Sequence, residues 1–351
     1  GWDRSIMSIR LLVPLAVLLM SGCTGANLPT RVSPSNQLDQ TTLAVMAQMD
    51  RENAPANIAG QIDAQRAFYG AWNDRRLGEM RQTFSTTERR AQIGGVAVDI
   101  VEPSGGVAPR NANRVLVNVH GGAFMWGAGS GALVESIPIA ATMGIRVVTV
   151  DYRLAPEHRY PSVSEDVTAV YSALLEDYLA ANIGIYGCSA GGIATAQSVA
   201  WMARQGLPRP GAIGTFCGTG APYSGDSRRL DALFESGAIA NQAELPRTLT
   251  NSYMEAVPGS DCAAYPLTCE GDIAKMPPTL LLAGSRDFAA SALTLAHRRL
   301  AASGVNSRLF LFDGLPHAFF MWPQMPESRE VYRIVAEFFE EELGREVKQK
   351  P

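Results

Sequence analysis

Histidine is scarce in this chain, four residues in 351, so any reaction needing an imidazole base must draw it from His120, His158, His297 or His317. Cysteine is scarce too. The five cysteines form no CxxC pair and no HExxH stretch occurs, which leaves a bound metal without support. Charge of one sign is missing: 30 Lys plus Arg stand against 34 Asp plus Glu, scattered along the chain, and this excludes the electrostatic footprint of a nucleic-acid binder. The N-terminal apolar run is also short. Leu11 to Met20, "LLVPLAVLLM", falls well below the ~20 residues that span a bilayer. No internal repeat is evident.

What is present fits a large globular body. With 46% hydrophobic and 18% charged residues the chain can bury one big core, and a small neutral ligand is its natural partner. Arg10 followed by the Leu11 to Met20 run suits the h-region of a signal peptide. The following "MSGC" resembles a bacterial lipobox, in which Cys23 would be lipidated, so residues 1–23 read as an export signal and 24–40 as a polar linker. The expected location is the bacterial cell envelope, membrane-attached through that lipid or otherwise periplasmic or secreted. An exported chain meets oxidising conditions, and Cys262 and Cys269, flanking a short loop with Pro266 inside it, could close as a disulfide.

Residues 41–90 read as helical and amphipathic, with Leu43, Val45, Met46, Phe68, Trp72, Leu77 and Met80 at apolar positions. From Val96 onward short apolar runs ("VAVDIV", "RVLVNVH", "IRVVTVDY", "IGIYG", "AIGTFC", "TLLLAG", "RLFLFD") alternate with helical patterns. That alternation predicts an α/β fold with a mostly parallel sheet between helices. Residues of about 221–275 lack clear strands and read as an insertion.

In such sheets ligands bind at the carboxyl ends of strands. Gly187-Cys188-Ser189-Ala190-Gly191 lies between the run "IGIY" and a helix, with the G-x-S-x-G spacing that presents a nucleophile on a tight strand-to-helix turn. Ser189 is at its centre, and Cys188 should point into the sheet as a small buried residue. In "VNVHGGAFMWG" the amides of Gly121 and Gly122, with that of Ala190, can converge on an oxyanion, while His120 braces the loop. The base must follow the nucleophile in this fold class. His297 sits in a helix beside two arginines, whereas His317 follows a strand, so His317 is taken as the base. The acid is Asp287, after the penultimate strand, with Asp313 as the alternative four residues before His317.

"HGGAF", "DYRLAPEHRYP", "GCSAGG" and "DGLPHAF" together resemble the hormone-sensitive lipase-like branch of α/β-hydrolases, the bacterial family IV carboxylesterases, over about residues 96–345. The resemblance implies an α/β-hydrolase fold with an eight-stranded sheet, a helical cap built from residues 41–90 and 221–275 on a hydrolase domain of 91–347, hydrolysis of small or short-to-medium acyl esters through Ser189, and no cofactor. Amide or lactone hydrolysis on the same triad, or an inactive membrane-tethered binding protein, are the alternatives. Two departures stand out: Ala123 replaces a third loop glycine, and Cys188 replaces the acidic residue that usually precedes the nucleophile, whose polar contacts must be absent or replaced.

Overall fold

The computed structural model describes residues 33–229 and 252–345. Among them one eight-stranded sheet runs in the order β1-β2-β4-β3-β5-β6-β7-β8. Its strands are β1 Thr86–Ile93, β2 Val96–Pro103, β3 Val115–Val119, β4 Arg146–Val150, β5 Ile183–Cys188, β6 Ala212–Phe216, β7 Thr279–Gly284 and β8 Ser307–Phe312. β2 pairs antiparallel with β1 and β4, and the remaining pairs are parallel. The helices are α1 Gln40–Arg51, α2 Ile62–Thr83, α3 Ser130–Met143, α4 Ser162–Leu174, α5 Ala190–Arg204, the short α6 Glu270–Ile273, α7 Ala290–Ala302 and α8 Pro326–Glu342. This is the expected α/β-hydrolase sheet.

Every residue of β3, β5, β6 and β7 is buried, as parallel strands covered on both faces must be. The pleat sends alternate side chains into two cores. Leu281 and Ala283 join Val167 and Ile193 on the side of α4, α5 and α7, while Leu280 and Leu282 join Ile137 and Phe339 on the side of α3 and α8. The helical reading of residues 41–90 ends at Thr83, because residues 86–93 form the edge strand β1. "TTERRAQI" carries little of the apolar signal of a strand, since it pairs on one side only and alternates exposed with half-buried positions.

The N-terminal helices lie against the α3 and α8 side. Asp39 caps α1 by accepting the Thr42 N–H at 2.8 Å, and Val45, Met46, Leu77 and Met80 enter the core shared with α3 and α8. Ahead of α1 the chain is clasped to the body: the Arg286 guanidinium donates to the Ser33 carbonyl at 2.6 Å, and the Ser35 hydroxyl donates to Asp313. The expected signal segment, Cys23 and residues 24–32 of the linker lie outside the described residues, as do residues 230–251 of the insertion. The described part of that insertion holds the turns Ser227–Arg229 and Pro266–Thr268 together with α6, and a disulfide joins Cys262 to Cys269. No helix among the described residues is long and apolar enough to cross a membrane.

Candidate active site

β5 ends at Cys188 and α5 starts at Ala190, leaving Ser189 alone on the turn with φ 59° and ψ −123°. A side-chain-bearing residue held at positive φ stores strain, which persists because the surroundings leave no alternative. The flanking glycines supply the room. A Cβ on Gly187 would lie 2.2 Å from the Val119 carbonyl oxygen, and one on Gly191 would lie 1.8 Å from the same atom. The Ser189 N–H donates to the Phe216 carbonyl at 2.8 Å, pinning the turn to β6.

Three chain segments meet at this serine. His317 Nε2 lies 2.9 Å from Ser189 Oγ, and His317 Nδ1 lies 2.8 Å from Asp287 Oδ1. Asp287 is fully buried just past β7; its Oδ1 also accepts the Ala289 N–H at 2.8 Å, whereas Oδ2 accepts no hydrogen bond among the described residues. Phe288 stacks on the His317 ring at 4.3 Å and restricts its rotation. Asp313 is exposed and bonded to Ser35, far from this arrangement in role and environment. Of the other histidines, His158 is exposed and His297 meets the Ser307 hydroxyl at 2.8 Å. His120 is buried, donates from Nδ1 to the Gly121 carbonyl at 2.7 Å and stacks on Tyr152; burial pulls its pKa down to about 4, so it stays neutral.

The loop after β3 departs from expectation at one amide. The Gly121 N–H donates to Glu135 Oε1 at 2.7 Å, so it is not available to an oxyanion. The amides of Gly122 and Ala123 have no partner among the described residues, and both residues line the cavity that holds Ser189. The Ala190 N–H, in the first turn of α5, is likewise unpartnered. Gly122, Ala123 and Phe124 all have positive φ, at 119°, 53° and 63°. Arg66 on α2 holds the far side of this loop, donating to the Met125 carbonyl at 2.8 Å while its guanidinium pairs with Glu157 at 2.7 Å.

Cys188 is buried but is not a lone small filler. Its sulfur is bonded to that of Cys217, which follows β6. Adjacent parallel strands put the two Cα atoms 5.5 Å apart, within disulfide range, and the bond faces away from solvent with both residues buried.

A cavity of ≈ 390 Å³ opens above Ser189. Phe68, Tyr69 and Trp72 of α2, with Trp126, Met321 and Trp322, make its wall predominantly apolar, and Tyr69 stacks on Trp126 at 4.4 Å. Behind it the fully buried Arg76 guanidinium lies 3.5 Å from the Trp322 ring centre and pairs with Glu52 and Glu79 at 3.1 and 2.9 Å.

Residues 116–321 match the family described as alpha/beta hydrolase fold. An esterase of Acinetobacter venetianus is 29% identical over 66% of this chain and 76% of its own length. Among solved structures, esterase E25 superposes with a TM-score of 0.76 at 24% identity, over 98% of this chain and 99% of the other. An esterase from the bacterial hormone-sensitive lipase family superposes at 0.73 and 22% identity, over 87% and 99% of the two chains.

Proposed function

The chain belongs to the alpha/beta hydrolase fold family, and from that premise we propose that it is a hormone-sensitive lipase-like member that hydrolyses carboxylic esters through an acyl-enzyme on Ser189. The observation that carries the mechanism is the relay of contacts from Ser189 Oγ to His317 at 2.9 Å and from His317 to Asp287 at 2.8 Å. Ser189 Oγ attacks the ester carbonyl carbon as its proton passes to His317 Nε2. Asp287 accepts the Nδ1–H, holding the tautomer and stabilising the imidazolium. The amides of Gly122, Ala123 and Ala190 receive the oxyanion. His317 returns the proton to the departing alcohol, then takes one from water as that water attacks the acyl-enzyme, and the acid is released with Ser189 restored.

The apolar, aromatic-walled cavity supports short-to-medium acyl chains as the substrates. A panel of p-nitrophenyl esters of increasing acyl length tests the range, and an organophosphonate followed by mass spectrometry tests the nucleophile. Ser189→Ala should lose about a million-fold in turnover and all labelling. Turnover that survives this substitution refutes the mechanism.

Attachment to the membrane through a lipid on Cys23 is the second part of the proposal, supported by the apolar run Leu11 to Met20 and the "MSGC" that follows it. Cys23→Ser should move the protein out of the membrane fraction or stall its processing. A wild-type protein found wholly in the soluble fraction contradicts it.

A further inference from the structure

Glu135 has no part in the proton relay, yet it is buried at the active-site cavity with 8% exposure. It has no cationic partner among the described ion pairs. Its two oxygens face three donors: Oε1 accepts the Gly121 N–H at 2.7 Å, Oε2 accepts from Asn118 Nδ2 at 3.0 Å, and the Cys188 N–H donates to the carboxylate as well. Asn118 is oriented in turn, because its Oδ1 accepts the Thr149 hydroxyl at 2.7 Å. The main chain of Glu135 is held as well, its carbonyl accepting the Tyr186 hydroxyl at 2.9 Å. Gly121 is packed tightly between these groups, since a Cβ there would lie 2.7 Å from the Cys188 carbonyl oxygen and 3.3 Å from Glu135 Oε1.

An uncompensated buried carboxylate is costly, and an apolar side chain would fill the same space without that cost. Burial indeed pushes its pKa up to about 7, against the pull of the Asn118, Gly121 and Cys188 hydrogen bonds. The contact it makes is one peptide upstream of the free Gly122 and Ala123 amides. The residue before Ser189, acidic in the resembling family, is here a cysteine tied into a disulfide and offers no carboxylate.

We propose that Glu135 is the positioning residue of the oxyanion loop, with Asn118 fixing its carboxylate on the Gly121 amide so that the Gly122 and Ala123 amides keep their aim. The inference rests on the proposed Ser189 mechanism. Glu135 touches no reacting atom; it acts through the loop, so its removal should weaken transition-state binding and leave substrate binding almost unchanged.

The test is steady-state kinetics on Glu135→Gln, on Glu135→Gln combined with Asn118→Asp, and on Ser189→Ala. In the single variant three N–H donors, from Gly121, Asn118 and Cys188, face an amide with one acceptor oxygen, so at least one contact becomes donor against donor. Turnover should fall about 10- to 100-fold, less than the 100- to 1000-fold typical of deleting an oxyanion donor, with KM within about threefold. Asn118→Asp supplies an acceptor for the new amide N–H, lets its oxygen return to Gly121, and should recover most of the loss. Circular dichroism and a thermal melt accompany each variant, since a purely structural role predicts activity lost in proportion to folded protein. Turnover of Glu135→Gln within twofold of wild type, a loss carried by KM alone, a loss matching the unfolded fraction, or a double variant no better than the single one each overturns the proposal. An active Ser189→Ala would sink the mechanism beneath it, a result distinguishable from all four.

Discussion

Asp287→Asn removes one negative charge from a fully buried position, and the surrounding hydrogen bonds determine what remains. Oδ1 faces two donors, His317 Nδ1 at 2.8 Å and the Ala289 N–H at 2.8 Å. An amide nitrogen at that site would confront both, so the asparagine must settle with its oxygen there and its NH2 where Oδ2 was. The imidazole therefore keeps its Nδ1–H tautomer and still presents Nε2 to Ser189. What disappears is the attraction between the carboxylate and the imidazolium that forms as Ser189 attacks. Unit charges 2.8 Å apart attract by ~6 kcal/mol at an effective dielectric of about 20, of which the neutral amide oxygen retains a hydrogen bond of ~1 to 1.5 kcal/mol. The remaining ~4 to 5 kcal/mol corresponds to a loss of about 10³- to 10⁴-fold in kcat. Initial rates at saturating ester, normalised by organophosphonate titration of Ser189, measure it. A loss smaller than about 30-fold, or a comparable loss in Asp313→Asn with Asp287→Asn near wild type, refutes the reasoning.

Two further predictions concern stability. Replacing Cys188 and Cys217 by alanine opens a crosslink with a sequence separation of 29, and should lower unfolding free energy by about 3 to 4 kcal/mol in urea titrations while Ser189 still takes the phosphonate label; a dead Cys188→Ala beside an active Ser189→Ala would reverse the choice of nucleophile. Acid titration should separate His120 from Glu135. The His120 pKa falls from 6.5 to about 4 on folding, so the unfolded chain binds more protons in that window and stability is lost as pH falls through it. The Glu135 pKa rises from 4.5 to about 7, so the folded chain binds more protons and stability is lost as pH rises through that window. Between pH 4.5 and 6.5 the two slopes oppose, whereas Glu135→Gln should expose the His120 slope alone, amounting to about 3 kcal/mol in full. Parallel urea-midpoint profiles for the two proteins count against this assignment.

The three residues of the relay were legible because each carries a local signal. Ser189 sits in G-x-S-x-G, only His297 and His317 follow it, and Asp287 lies just after a strongly apolar strand. Other features depend on which elements become neighbours in space. The Gly121 amide reads as an oxyanion donor until α3 folds back and presents Glu135, fourteen positions further along the chain. The Cys188–Cys217 bond becomes visible only once β5 and β6 are known to be adjacent, whereas Cys262 and Cys269 are close in the chain itself. β1 was hidden for a different reason: an edge strand with arginines and a glutamate looks locally like a solvated helix end.

The clasp at Ser33 and Ser35 turns a sequence distance into a leash length. Were Cys23 lipidated, ten residue-to-residue steps would separate it from the point where Arg286 grips Ser33, a contour of at most about 35 Å. A folded body of this size is about 50 Å across. Its anchor would then be shorter than its own diameter, so the body could not tumble freely and would keep one side toward the lipid headgroups. The gripping residue directly precedes Asp287. Ester molecules dissolved in or shed from the bilayer would meet the hydrolase at the bilayer's edge, at a local concentration set by the membrane in place of the surrounding fluid.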